Sequence, residues 1–219
     1  MNPDSQNQPR NKWFSFSNIA AIAIAAFVIA MFFSPDLKGK VIQGLMRVGL
    51  FQPDVRPNVI VKTSASSAGD AAFRDQNGGL VKLSDLKGKV VFLNFWASWC
   101  PPCIAEMPSI DKLHAKYKNR DGLVFLMVDV DGKIESSIDF MRKRDFKLPV
   151  YVSASATPAA YFSGSMPTTI ILNKSGDVVF QHIGAADYTS SNISTLIDKL
   201  LYNLTCDDEQ LYISTIRNS

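Results

Sequence analysis

The residues best suited to chemistry stand together as Cys100-Pro101-Pro102-Cys103, inside the run VVFLNFWASWCPPCIAEMP from Val90 to Pro108. Two cysteines at this spacing serve as a redox pair or as half of a zinc site. The other soft donors are His114, His182 and Cys206, and none of them forms a second close pair. A four-ligand zinc site is therefore disfavoured, and no metal is expected. At a helix start, two such cysteines can close a disulfide across one turn. Unpaired N–H groups and the positive end of the helix dipole favour a thiolate there. A thiol of pKa ~8.5 is about three per cent ionised at pH 7, and lowering the pKa to ~7 makes about half of it nucleophile. Cys100, at the exposed edge beside Trp99, is the expected attacking residue, and Cys103, one turn inward, the resolving one. Neither Pro101 nor Pro102 has an N–H to offer the Cys100 sulfur. The expected pKa is therefore nearer ~7 than the ~3.5 of strong oxidants, which points to a reductant or isomerase.

Holding this pair requires a strand before it and a helix after it, and the sequence supplies both. VVFLNFW is a continuous apolar run of the kind found in buried central strands. A helix is expected from about Cys100 to Asn119, with Leu113, Ala115 and Tyr117 on its apolar side and a kink at Pro108. Upstream, AFRDQNGGLVKL reads as a hairpin around Asn77-Gly78-Gly79. Downstream, GLVFLMVDV and LPVYV read as strands on either side of an amphipathic helix, IESSIDFMRKRDF. TTIILN and VVFQHIG form a strand pair across Lys174–Asp177, and SSNISTLIDKLLYNL closes as a helix. This order implies one α/β sheet covered on both faces.

The chain has 219 residues and a formal net charge of +3. That length fits one ordinary domain with extensions, and the absence of a dense basic run argues against nucleic acid as a partner. Trp13 to Phe33 carries no charged residue. As a helix it would span roughly the ~30 Å hydrocarbon core, so the expectation is an uncleaved transmembrane anchor, with a signal peptide as the alternative. Arg10 and Lys12 on one side and Lys38, Lys40 and Arg47 on the other leave its orientation undecided. The stretch LKGKVIQGLMRVGLF places Ile42, Leu45, Met46 and Gly49 at helical spacing. It would lie on the membrane surface or pack on its own domain. The expected organisation is a tail over residues 1–12, an anchor over 13–33, and a juxtamembrane segment and linker over 34–58. A catalytic domain would occupy 59–203 and a tail 204–219.

The segment FWASWCPPCIAEMP, with LSDLKGKVVFLNFWASWC and SMPTTIILNKSGDVV around it, resembles the thioredoxin superfamily. More closely, it resembles the membrane-anchored, extracytoplasmic thiol–disulfide oxidoreductases of the TlpA/ResA type. The resemblance covers roughly Ala72 to Leu201. It implies a thioredoxin-like three-layer sandwich, a central mixed sheet flanked by helices, behind an N-terminal transmembrane helix. It also implies Cys100 and Cys103 as the redox-active disulfide, Trp99 as the tryptophan before them, and Met166-Pro167 as the cis-proline turn facing them. That turn would leave the Met166 backbone free to pair with an extended client segment. Where thioredoxin has a buried aspartate this chain has Asn94, and an amide cannot accept the proton Cys103 must lose. Glu106, three residues after Cys103 on one helical face, matches a glutamate of the TlpA/ResA pattern and is the expected proton acceptor. The alternative is a glutamate placed for the helix dipole alone.

The implied activity is reduction of disulfides in extracytoplasmic proteins, cytochrome or metal-centre assembly clients among them, without a cofactor. The implied setting is the bacterial inner membrane, with the domain in the periplasm, lipid around the anchor, and a membrane electron donor as partner. Two other classes fit less well. A thioredoxin-fold peroxidase would use a Pro-x-x-x-Thr-x-x-Cys string, which is lacking here. A non-catalytic scaffold or binding protein would not need both cysteines. His114 and His182 read as structural, Asp129 and Asp131 as turn residues, and Cys206 as a spare thiol or a partner in an intermolecular disulfide.

Overall fold

A computed structural model of the chain describes residues 16–47 and 69–202. The expected tails over 1–12 and 204–219, Cys206, and the linker from residue 48 to 58 lie outside the described residues.

Among the described residues, seven strands form one mixed sheet in the order β2-β1-β5-β4-β3-β6-β7. The hairpin expected around Asn77-Gly78-Gly79 is β1 (Ala72–Asp75) against β2 (Leu80–Lys82). Asp75 closes its turn by accepting the Asn77 and Gly79 N–H groups at 2.7 and 2.8 Å. The central strand β3 (Val90–Trp96) is buried at every position, its one polar residue Asn94 included. It pairs in parallel with β4 (Leu123–Asp129) and antiparallel with β6 (Thr168–Leu172). β5 (Val150–Ser153) extends the parallel part, and β7 (Val178–Ile183) closes the other edge.

Alternation along β3 divides the core. Phe92 and Trp96 face one side, with Met107, Ile110, Leu113 and Tyr117 of α3 (Pro101–Tyr117), Phe140 and Met141 of α4 (Ile134–Lys143), and Ile193 and Ile197 of α5 (Ser191–Tyr202). Val91, Leu93 and Phe95 face the other side, where Leu83 of the 3₁₀ turn Leu83–Leu86 and Tyr161 of the β5–β6 connection complete the layer. α3 follows β3 directly and continues through Pro108 as one helix. Because the sheet holds β3 from both sides, the β3–α3 junction that carries the cysteines stands on the most buried strand.

At the N-terminal end, α1 (Phe16–Phe33) is followed after Ser34 by α2 (Pro35–Arg47). Eighteen residues of α-helix reach about 27 Å. Among the described residues no helix is long and apolar enough to cross a membrane. The expected amphipathic stretch is α2, and of its two expected locations it takes the one on the domain. Gly39 is buried so closely against α3 that an added Cβ would stand 2.9 Å from Ile104 Cγ2 and 3.3 Å from the Pro101 carbonyl oxygen.

Candidate active site

Cys100 is the N-cap of α3, with extended backbone (φ −85°, ψ 107°), and prolines occupy the first helical positions. Those positions have no intrahelical use for an N–H, so proline fits there and sharpens the turn out of β3. Cys100 and Cys103 are joined by a disulfide across the first turn, with their Cα atoms 5.3 Å apart. The prolines leave one backbone donor near the first sulfur, the Cys103 N–H at 3.4 Å from Cys100 Sγ. Cys100 is not on an exposed edge as expected. Only 4% of it is accessible, and Cys103 is fully buried. The exposed group is Trp99, at 54%.

Trp99 is nevertheless held. Its indole N–H donates to Asp131 Oδ2 at 2.6 Å. Asp131 follows β4, where Asp129, at the end of the strand, accepts the N–H groups of Asp131 and Lys133 at 3.1 and 3.0 Å. Asp129 is the turn residue expected of it, and Asp131 also orients the tryptophan beside the cysteines.

The Met166–Pro167 peptide is cis, as the resemblance implied. Register places it: Phe95 pairs with Thr168, so Pro167 stands at the end of β3 from which the cysteine loop departs. The Gly184 N–H donates to the Pro167 carbonyl at 2.8 Å and ties this turn to β7.

Behind the disulfide, Glu106 is fully buried one turn after Cys103. Asn94 of β3 donates to its Oε1 at 2.8 Å, and the Ala186 N–H donates to Oε2 at 3.3 Å. Burial outweighs these two hydrogen bonds and pushes the carboxyl up to about 8, well above the usual carboxylate range. An acid whose pKa lies near the working pH can both take and return a proton. The second Asn94 N–H goes to Thr169 Oγ1 at 2.8 Å, and the Tyr188 hydroxyl donates to that same oxygen at 2.6 Å. Asn94 Oδ1 is buried without a hydrogen-bond partner.

The two histidines stay out of this centre chemically. His114 packs edge-on to Phe125 with ring centroids 5.0 Å apart, and burial lowers its pKa. His182, also lowered by burial, is the cross-strand partner of Thr169 on β7. Among the described residues no group of three metal-ligating side chains comes together. The structure thus gathers Trp99, Cys100, Cys103, Glu106, Met166 and Pro167 at one end of the sheet. It adds Thr169 and Tyr188, which no expectation named, and gives Asp131, expected only as a turn residue, a place at the tryptophan. Thr169 stands within the SMPTT string, whereas no local pattern marks Asp131 or Tyr188.

A model of the family described as Redoxin matches residues 58–197. The chain belongs to the redoxin family. Among redoxins its relatives are of the ResA/TlpA type in the thioredoxin superfamily. ResA of Bacillus cereus, a thiol-disulfide oxidoreductase, is 35% identical over 127 residues, which cover 58% of this chain and 72% of that protein. ResA of Oceanobacillus iheyensis is 33% identical over 176 residues, 80% of this chain and 83% of that one. The solved structure of a candidate thiol:disulfide interchange protein DsbE from Chlorobium tepidum covers 61% of this chain and 94% of its own, at 33% identity and a TM-score of 0.53. The fold is the thioredoxin-like α/β fold. This redoxin is a thiol–disulfide oxidoreductase of the protein-disulfide reductase class, and its clients are proteins that carry disulfides.

Proposed function

We propose that this redoxin reduces disulfides of extracytoplasmic proteins in two exchange steps. The Cys100 thiolate attacks a client disulfide, forming a mixed disulfide and releasing one client thiolate. Cys103 gives up its proton, attacks Cys100 Sγ, and releases the second client thiol. The enzyme leaves with the Cys100–Cys103 disulfide and the client with two electrons more. Trp99 and the Met166-Pro167 turn form the client-facing wall, and the Met166 backbone is available to an extended client segment.

The observation that carries this reading is the buried Glu106 carboxyl one turn from Cys103, raised to about 8 and held by Asn94. Asn94 has no basic site of its own, so Glu106 is the group that takes the Cys103 proton. The domain comprises residues 59–203, and the anchor is the uncharged run Trp13–Phe33, which contains α1. An anchored reductant in an oxidising compartment requires a membrane electron donor to return Cys100 and Cys103 to thiols. Proteins of cytochrome or metal-centre assembly are clients of the right kind.

The test uses the reduced full chain and 5,5′-dithiobis(2-nitrobenzoate) in stopped flow. The first thionitrobenzoate released reports attack by Cys100, and the second reports resolution by Cys103. Glu106→Gln should leave the first phase intact and slow the second by roughly 10²-fold, the usual size of a lost general base. An unchanged second phase would remove Glu106 from the mechanism.

A further inference from the structure

Asn94, Thr169 and Tyr188 form a buried chain that ends on Glu106. One Asn94 N–H donates to Glu106 Oε1 and the other to Thr169 Oγ1, both at 2.8 Å. Tyr188 Oη reaches the same threonine oxygen at 2.6 Å from the other side. Asn94, Thr169, Tyr188 and Glu106 are each between 0 and 1% accessible, so water does not compete for these contacts. The backbone supports the arrangement: Asn94 and Thr169 are direct cross-strand partners on β3 and β6. The Tyr188 N–H is fixed to α3 through Ser109 Oγ at 3.2 Å.

A primary amide can present either its N–H or its C=O to a neighbour. An N–H toward Glu106 supports the ionised carboxylate; a C=O there can accept only from the protonated acid. We infer that Thr169 and Tyr188 are positioning residues that hold the Asn94 amide with its N–H toward Glu106, and so set the pH range in which this carboxyl exchanges its proton. Thr169 supplies the acceptor for the second N–H, and Tyr188 holds the threonine hydroxyl in place. Without that acceptor the amide is free to turn its partnerless Oδ1 toward the carboxyl, which favours the protonated form.

The other titratable groups around Glu106 leave this assignment to the amide. Cys103 precedes it on α3 and is the proton donor of the reaction. Tyr188 has its own pKa raised well above the ordinary phenol value, chiefly by burial and then by Glu106, so it stays neutral. His182, across from Thr169, is held below the usual imidazole range by burial.

The inference rests on Glu106 as the acceptor of the Cys103 proton, and the experiment separates the two. The second thionitrobenzoate phase of the full chain is followed from pH 5 to 10 in the wild type, Glu106→Gln, Thr169→Val, Thr169→Ser and Tyr188→Phe. Thr169→Val should move the midpoint up by about one pH unit, the size of one lost charge-assisted hydrogen bond, and slow the phase at pH 7 about tenfold. Thr169→Ser keeps the hydroxyl and should restore the wild-type profile. Tyr188→Phe, nearly isosteric, should move the midpoint the same way by about half a unit. A merely structural role would lower thermal stability without moving the midpoint. A midpoint unmoved in Tyr188→Phe and in Thr169→Val, with Glu106→Gln slow, overturns the inference alone. A normal second phase in Glu106→Gln overturns the reading beneath it as well.

Discussion

Replacing Glu106 by Gln should remove part of the pH dependence of stability, a part whose direction is opposite to that of a salt-bridged carboxylate. In the unfolded chain this carboxyl titrates near 4.5, and in the fold burial pushes it up to about 8. Between those values the folded state keeps the proton and the unfolded state has lost it. The folded state then binds more protons, so stability falls as pH rises. The contribution is complete below about pH 4.5 and gone above about pH 8. An interval of about 3.5 pH units, at about 1.36 kcal/mol per unit, amounts to about 5 kcal/mol. The assay is urea denaturation of the purified full chain, disulfide intact, followed by far-UV circular dichroism from pH 5 to 9. The wild type should lose stability relative to Glu106→Gln by roughly 1.4 kcal/mol per pH unit from pH 5 to 8. Parallel curves would refute the burial argument. A wild type that gained stability relative to Glu106→Gln as pH rose would mean that the fold stabilises the ionised form.

Three further outcomes follow from the same geometry. Gly39→Ala sets two effects against each other. Helix propensity alone would slow hydrogen exchange in α2 by about 1 kcal/mol, whereas a Cβ 2.9 Å from Ile104 Cγ2 should speed it and leave β3 protected. Slower exchange would show that α2 does not rest on α3. Asp131→Ala should release the Trp99 indole, shifting its N–H resonance and raising the KM for a client disulfide roughly three- to tenfold with kcat within about twofold, consistent with about 1 kcal/mol for a half-exposed hydrogen bond. An unchanged KM would take Trp99 out of client contact. The Cys100–Cys103 potential of the full chain should lie near about −270 mV, since among the described residues only one backbone N–H reaches Cys100 Sγ to support its thiolate. A value near about −120 mV would mark a disulfide donor instead.

Much of the fold was legible because its strands are unusually plain. Val90–Trp96, Leu123–Asp129 and Thr168–Leu172 are predominantly apolar runs bounded by turn residues, so their existence and type follow from local pattern alone. The hairpin followed from Asn77-Gly78-Gly79 in the same way. The order of the strands did not, since β1 lies beside β5, far along the chain, and nothing local encodes that pairing. Helix α2 shows the same limit: its spacing fits a membrane surface as well as a protein one. The close seat of Gly39 on Ile104 and Pro101 exists only once α3 is in place.

The site divides likewise. Local sequence sufficed for the redox pair, the helix start that carries it, the prolines that remove its backbone donors, and the Cys103-to-Glu106 spacing. These depend on neighbours within one turn, and covalent geometry and helix periodicity suffice to read them. Tertiary packing was needed to bury Cys100 while leaving Trp99 beside it exposed, and to bring Asp131 to that indole. It alone decided that Glu106 lies deep enough for its carboxyl to rise to about 8. Burial and the direction of a hydrogen bond depend on what distant segments place around a group. Thr169 and Tyr188 reach Glu106 through Asn94 because β3, β6 and the segment after β7 converge under α3, and that convergence appears only when the sheet has closed.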